Sequence, residues 1–132
     1  MIKKYSSGFT VIEIIFVAVL AGIVSVIFFV QKNDLKIIAN DNLKKTSINA
    51  MYYSLEEVYY PTNGYYPQTI NSDNLKSVDP NLFTDPNGVK IGDEGSSFTY
   101  TPTNCEDNKC KSYTLKAILE NEDNYTKTSK NN

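Results

Sequence analysis

An acidic side chain, Glu13, lies inside the most apolar stretch of the chain, which runs from Phe9 to Val30. At about 1.5 Å per helical residue this stretch is roughly 33 Å long, enough to cross a hydrocarbon core of about 30 Å. A carboxylate within a spanning helix costs on the order of 2.5 to 3.5 kcal/mol, so Glu13 is expected to have a partner. If the chain were cut between Gly8 and Phe9, the new α-ammonium would lie about 6 Å along the helix axis from Glu13. A cut at that bond would therefore supply an ion-pair partner for the carboxylate.

The residues around Glu13 resemble the N-terminal signature of the type IV pilins and of the pseudopilins of type II secretion. The match comprises a short lysine-containing leader that ends in Gly8, the sequence Phe-Thr-Val-Ile-Glu from Phe9 to Glu13, and a long apolar run that contains Gly22. In that family a prepilin peptidase cleaves after the glycine and methylates the new N-terminal phenylalanine. The resemblance therefore implies cleavage between Gly8 and Phe9, N-methylation of Phe9 and an assembly role for Glu13.

The resemblance also implies a function, partners and a location. The expected function is that of a structural subunit, inserted as a single-pass membrane precursor and found after cleavage in an extracellular surface filament. The expected partners are copies of the same chain, a prepilin peptidase, and an inner-membrane assembly platform with its ATPase. A pseudopilin of a type II secretion system is the alternative within the family, because Asn63-Gly64-Tyr65-Tyr66-Pro67 resembles an element that follows the long helix in major pseudopilins.

Other interpretations of the apolar run explain it less well. A secretory signal could be cut after Val19-Leu20-Ala21, but the run continues well beyond Ala21 and carries Glu13 near its start. A simple membrane anchor leaves Glu13 unexplained, and a buried core helix would need more apolar chain around it than the remainder supplies. A membrane-tethered ligand-binding domain that does not polymerise is the alternative outside the pilin family.

The composition argues against an enzyme and against a nucleic-acid-binding protein. The chain has no histidine, which excludes catalysis that depends on a histidine base and zinc sites that need histidine ligands. Its glycines form no phosphate-binding Gly-x-x-x-x-Gly-Lys sequence, and no cofactor is expected. The 13 basic residues fall to 11 once Lys3 and Lys4 leave with the leader, against 15 acidic residues. This negative balance argues against binding nucleic acid through bulk charge.

A second helical segment is predicted after the apolar run. Apolar residues recur at intervals of three and four between Leu35 and Tyr59, which is the period of an amphipathic helix. The apolar stripe is thin between Asn40 and Asn49, so a weak or frayed patch is expected there. Pro61 and the Asn63-Gly64 pair predict the end of the helix.

Two strands and a cysteine pair are predicted in the C-terminal part. Residues 97–102 and 113–119 alternate between apolar and polar types, which is typical of strands. Cys105 and Cys110 lie between them and, in an exported head, are expected to form a disulfide. The closed loop is so short that the gain in stability is limited to roughly 2 kcal/mol. The alternative to a disulfide is a metal site with two thiolate ligands, but such a site would lack further cysteine or histidine ligands.

Acidic and amide residues gather in the loop that precedes the first of these strands. Oxygen ligands of this kind suit calcium, but their spacing does not complete a calcium-binding loop. We therefore predict solvated turn residues and no metal site, with one short helix over 73–78. The residues concerned are Asp79, Asp85, Asn87, Asp93 and Glu94.

These elements together predict an α+β fold with a pilin-like architecture, in which one long N-terminal helix packs on a small antiparallel β-sheet head. Apart from the membrane segment, about 100 residues remain, which is enough for one small domain. The predicted segments are a leader removed on maturation (1–8), a transmembrane or filament-core helix (9–30), an amphipathic helix (31–60), a globular β head with loops (61–119) and a disordered tail (120–132).

Overall fold

The computed structural model describes residues 8–131, and the chain divides after Lys36 into two compact units. Helix α1, Val11–Ser54, begins in the first unit and ends in the second. In the first unit its surface is exposed all round, since the large apolar side chains keep between 46% exposed, at Leu20, and 77% exposed, at Ile12. This helix is long and apolar enough to cross a membrane.

A π turn, Leu55–Tyr59, continues α1 and leads into the short helix α2, Tyr60–Asn63. Pro61 follows this π turn and lacks the N–H that a continuous α-helix would use to bond the preceding turn. The wider π turn gives the proline ring room against the preceding carbonyl groups. The helix therefore passes Pro61 and ends at Asn63, beyond the predicted end at residue 60. Gly64, with a φ of 77°, closes it by donating its N–H to the Tyr60 carbonyl at 2.7 Å.

The second unit contains a four-stranded antiparallel sheet with β3 at its centre. Strand β2 pairs along one side of β3, while β1 and β4 pair with opposite ends of its other side. The predicted α+β architecture, a long N-terminal helix and a small antiparallel sheet, is confirmed. The strands are β1 (Tyr66–Pro67), β2 (Phe98–Glu106), β3 (Lys109–Ala117) and β4 (Tyr125–Thr128).

The core of this unit lies between α1 and the sheet. Ile48, Met51 and Leu55 are fully buried on the helix side, and β3 contributes Tyr113 and Leu115. These three helix residues were part of the predicted apolar stripe. Other members of the predicted stripe are exposed, and these include Leu35, Leu43 and Val58.

The helix is regular between Asn40 and Asn49, so the predicted frayed patch is wrong. Asp41, Lys44 and Ser47 are buried there, although none of them is apolar. Their burial is tolerated because Asp41 and Lys44 have hydrogen-bond and ion-pair partners outside the helix. Polar contacts replace the apolar stripe along this part of α1.

The β2–β3 hairpin closes with a two-residue turn, Asp107–Asn108. Both residues have a left-handed φ, 49° and 63°, as in the type I′ turns that match the twist of paired strands. The strands extend beyond the predicted alternation as far as this turn. Cys105 and Cys110 therefore lie opposite each other within the strands rather than in a loop between them.

The long connection between β1 and β2 contains one short helix, but not where it was predicted. Residues 73–78 form turns, and the helix is a 3₁₀ segment, Pro80–Phe83. The Asp79 carboxylate begins it by accepting the Asn81 N–H at 2.9 Å.

The prediction of a disordered tail over 120–132 is wrong for the residues that the structure describes, up to Asn131. Residues 125–128 form β4, and Tyr125 is half-buried against the core. The segment is polar, and polar contacts rather than apolar burial hold it in place. We call residues 120–131 the strap.

Candidate functional site

The proposed cleavage segment, Gly8 to Thr10, precedes the helix and has no regular backbone structure. Phe9 is exposed over 73% of its surface. A Cβ atom added at Gly8 would meet nothing within 4 Å among the described residues. A glycine is therefore not needed at position 8 for packing within the described chain. The leader lysines, Lys3 and Lys4, lie outside the described residues.

Glu13 has a partner within the described chain. Helix α1 begins at Val11, and the Thr10 N–H donates to Glu13 Oε2 at 3.4 Å. This contact is half of a capping box, in which a glutamate in the first turn binds the N–H of the capping residue. The positive end of the helix dipole favours the same carboxylate. The Thr-x-x-Glu spacing of Thr10 and Glu13 is the one sequence signal that indicates this contact.

The predicted disulfide is present between Cys105 and Cys110, five positions apart. The two residues form a cross-strand pair beside the hairpin turn, so the disulfide ties the end of the hairpin. No group of three His, Cys, Asp or Glu side chains in residues 8–131 is arranged to hold a metal ion.

Asp85 organises the loop in which calcium was considered. Its Oδ1 accepts the Asn87 and Val89 N–H groups, both at 2.9 Å, and its Oδ2 accepts the Ser97 N–H at 2.8 Å. Burial tends to raise the pKa of Asp85, but these donors outweigh it and hold the pKa below the usual 3.8. The carboxylate is occupied by backbone N–H groups and serves as the centre of the loop.

An open groove of about 960 Å³ lies beside the hairpin turn. Tyr60 and Tyr65 line it together with polar residues of β2 and β3. Lys109 Nζ lies 5.3 Å from the centre of the Tyr65 ring, a distance at which a cation is attracted to an aromatic face. The groove offers aromatic and charged contacts but no nucleophile paired with a base.

A buried carboxylate, Glu56, lies in the π turn and is only 5% exposed. It accepts hydrogen bonds from Tyr113 Oη at 2.7 Å, from Tyr66 Oη at 3.0 Å and from the Lys130 N–H at 3.2 Å. Burial, together with the nearby Glu56 charge, raises the pKa of Tyr113, which keeps its hydroxyl protonated as a donor. Because the three partners come from β1, β3 and the strap, Glu56 joins parts of the chain that are far apart in sequence. No spacing in the sequence indicates this cluster.

A second buried carboxylate, Asp41, binds the start of the strap. Its Oδ1 accepts the Glu120 N–H at 3.0 Å, and its Oδ2 accepts the Asn121 N–H at 2.9 Å. Lys44 Nζ lies 3.2 Å from Glu120 Oε1 and 3.7 Å from Asp41 Oδ1. Burial tends to raise the pKa of Asp41, but the two N–H groups and the nearby lysines hold it below 3.8.

Five of the residues of α1 and the π turn that contact the strap are spaced at intervals of four, four, three and four, so these five share one face of the helix. Between the two carboxylates, Tyr125 Oη donates to Asn49 Oδ1 at 2.9 Å, and the Lys127 ammonium lies 5.3 Å from the Tyr52 ring. We call this face the polar stripe. Its members are Asp41, Lys45, Asn49, Tyr52 and Glu56.

Comparison of the chain with models of known protein families, with curated proteins and with solved structures returned no match.

Proposed function

We propose that this protein is a structural subunit of a type IV pilus-like surface filament. It is made as a membrane-inserted precursor, cleaved after Gly8 and polymerised through its N-terminal helix. The observation that carries the proposal is a spanning-length helix that is apolar and exposed on every side, with a single carboxylate, Glu13, in its first turn.

The exposed helix surface suits two environments. Lipid can surround it in the precursor, and neighbouring copies of the same helix can surround it in a filament. Withdrawing apolar surface from the membrane must be offset by contact with other apolar surface. A helix that is apolar on all sides from Val11 to Val30, apart from a few small or polar residues, supports packing against several neighbours at once.

Glu13 supports a defined register between neighbours. After cleavage the Phe9 ammonium, with an unperturbed pKa of about 8, is mostly positive at neutral pH, and methylation keeps it so. In the low-dielectric core of a filament an unpaired charge costs several kcal/mol. An incoming subunit therefore gains most when its Phe9 ammonium lies beside the Glu13 carboxylate of a neighbour. The Thr10 N–H can satisfy Glu13 until that neighbour arrives.

The partners of this proposal are a prepilin peptidase, an inner-membrane assembly platform with its ATPase, and copies of the chain. The open surroundings of Gly8 support a requirement imposed by the peptidase rather than by folding. A peptidase that accepts only a very small residue at the cut would make Gly8→Val a precursor that stays in the membrane.

Mass spectrometry of the mature protein tests the proposal. We expect a chain that starts at N-methylated Phe9, and we expect Gly8→Val to remain uncleaved. Gly22→Val is the matched control, because it makes the same change at another unobstructed glycine, within the apolar run, and it should be cleaved normally. A mature chain that starts at Met1, or at any residue other than Phe9, would contradict the proposal.

The groove beside the hairpin favours a second candidate, a membrane-tethered head that binds a ligand and does not polymerise. Its aromatic and charged lining, with Tyr65 and Lys109, is suited to ligand contact. A pseudopilin of a secretion system is the other alternative and shares every step up to polymerisation. Electron microscopy of cells with the cleaved protein distinguishes tether from filament subunit, since a tether gives no filaments.

A further inference from the structure

We infer that the strap is a polar latch that opens as one unit while the β2–β3 hairpin stays folded, and that the buried carboxylates of Asp41 and Glu56 hold it closed. The inference does not rest on the proposed function. It follows from where the strap is bound, from what it buries and from how its contacts are spaced along the helix.

The strap is bound at both ends by a buried carboxylate. The Asp41 carboxylate, on a residue that is 1% exposed, accepts hydrogen bonds from the N–H groups of Glu120 and Asn121. The Glu56 carboxylate accepts a hydrogen bond from the Lys130 N–H near the other end. Hydrogen bonds to a charged acceptor are about twice as strong as those between neutral groups. Each end is therefore held by hydrogen bonds stronger than those between neutral backbone groups.

Ion pairs flank both of these carboxylates. Lys45 Nζ lies 2.5 Å from Glu122 Oε2, and Lys130 Nζ lies 2.7 Å from Glu57 Oε1. These pairs are partly or largely exposed, so solvent screens them and each holds the strap only weakly. They steer the strap towards the helix, and the buried carboxylates attach its two ends.

The middle of the strap buries little apolar surface. Strand β4 has four residues and pairs with β3 alone among the described strands. Tyr125 is its one residue that packs against the core, and Thr126 and Thr128 are exposed. Opening the strap therefore breaks mainly polar contacts.

The hairpin is held far more firmly. Its two strands have nine residues each, are tied by the disulfide, and bury Tyr113, Leu115 and Ala117. Segments with few buried apolar contacts open at a lower free energy than the strands of the core. The strap is therefore expected to open first.

The contacts are arranged so that the strap opens as a whole. The polar stripe runs along one helix face from Asp41 to Glu56, and the strap follows it in the same chain direction. Each closed contact keeps the next strap residue beside its partner on the helix. Releasing one end removes that restraint from the other end.

Hydrogen exchange of the full-length protein in detergent, measured at neutral pH and low denaturant, tests the inference. In the wild-type chain the amides of 120–130 should share one free energy of opening, lower than that of the hairpin amides. Asp41→Asn and Glu56→Gln remove the charge at one end each. Either should speed exchange by about tenfold or more at both ends of the strap, because each weakens hydrogen bonds to a charged group.

Two substitutions serve as controls. Glu57→Gln alters the exposed neighbour of Glu56 and should leave strap exchange within about threefold of wild type. Asp85→Asn removes another buried carboxylate that binds backbone N–H groups, and it should speed exchange at Ser97 but not in the strap. The inference is overturned if exchange rises only at the substituted end, or if strap and hairpin exchange together. Whether strap and hairpin exchange together is measured on the wild-type chain, so that outcome can be read even if a variant fails to fold.

Discussion

Tyr113→Phe measures how much the buried Glu56 cluster stabilises the second unit. The substitution removes one hydroxyl, which donates to Glu56 Oε1 at 2.7 Å. It keeps the ring, which packs edge-on against Tyr66 with centroids 4.7 Å apart. No cavity larger than an oxygen atom is left, so the loss should be that of the hydrogen bond rather than of packing.

The expected loss follows from what Glu56 keeps. A hydrogen bond to a charged group is worth about 1.5 to 3 kcal/mol. Glu56 retains the Tyr66 hydroxyl and the Lys130 N–H, so its charge is not left unpaired. We therefore expect the free energy of unfolding to fall by about 2 kcal/mol, near the lower end of that range, with no change in the denaturant slope.

The assay is urea unfolding of the full-length protein in detergent, followed by near-ultraviolet circular dichroism of the tyrosines, since the chain has no tryptophan. Tyr53→Phe is the matched control, because Tyr53 is 58% exposed and its loss should stay within about 0.5 kcal/mol. In a double-mutant cycle with Glu56→Gln, the loss of stability in the double variant should be about 1 kcal/mol smaller than the sum of the two single losses. Strict additivity, or a Tyr113→Phe loss as small as the control, would refute the assigned role of the cluster.

Three further predictions concern assembly, the disulfide and acid. Glu13→Ala should be inserted and cleaved but assemble poorly, and Glu13→Gln should also be impaired, since it loses the charge; filaments of normal number and length, counted by electron microscopy, would remove the register role. Replacing Cys105 and Cys110 by serine should cost about 2 kcal/mol in urea unfolding and leave cleavage unchanged, whereas alkylation of both thiols in unreduced protein would show that they are not paired. Burial opposes the lowered pKa values of Asp41 and Asp85, but N–H donors outweigh it; their stabilisation should be complete above pH 3.8 and disappear as the pH falls through those lower values, and a constant urea midpoint from about pH 6 to pH 2 would contradict this.

The sequence predicted the elements whose signal is local. The apolar run, the three-and-four periodicity around Ile48 to Leu55, and the alternation on either side of the cysteines each depend on neighbouring residues. The predicted helix end at residue 60 is too early, because a proline normally stops a helix at the residue before it. A π turn, which has no reliable sequence signal, allows the helix to pass it.

The ordered strap is not predicted by the sequence, because polar rather than apolar residues hold it in place. Asp41, Asn49 and Glu56 have helical spacing that is visible in the sequence, but a polar face is normally solvated. The partner of Asp41 is 79 positions away, and a polar segment of Asn, Glu and Lys is typical of a disordered end. Only long-range pairing distinguishes a buried polar stripe from a solvated one, and a single sequence does not contain it.

The π turn couples the length of the helix to one side chain. A π turn contains one residue more than an α turn for about the same rise along the helix axis. Leu55–Tyr59 therefore acts as a one-residue insertion in the helix, and the helix still continues through Tyr60 to its end at Gly64. Deleting Val58, which is half exposed, would restore α-helical bonding and bring the Pro61 ring against a carbonyl of the preceding turn, at a cost of about 3 kcal/mol. Such a shortening would be tolerated only together with the loss of Pro61. The length of this turn and the identity of residue 61 are therefore expected to change together, or not at all.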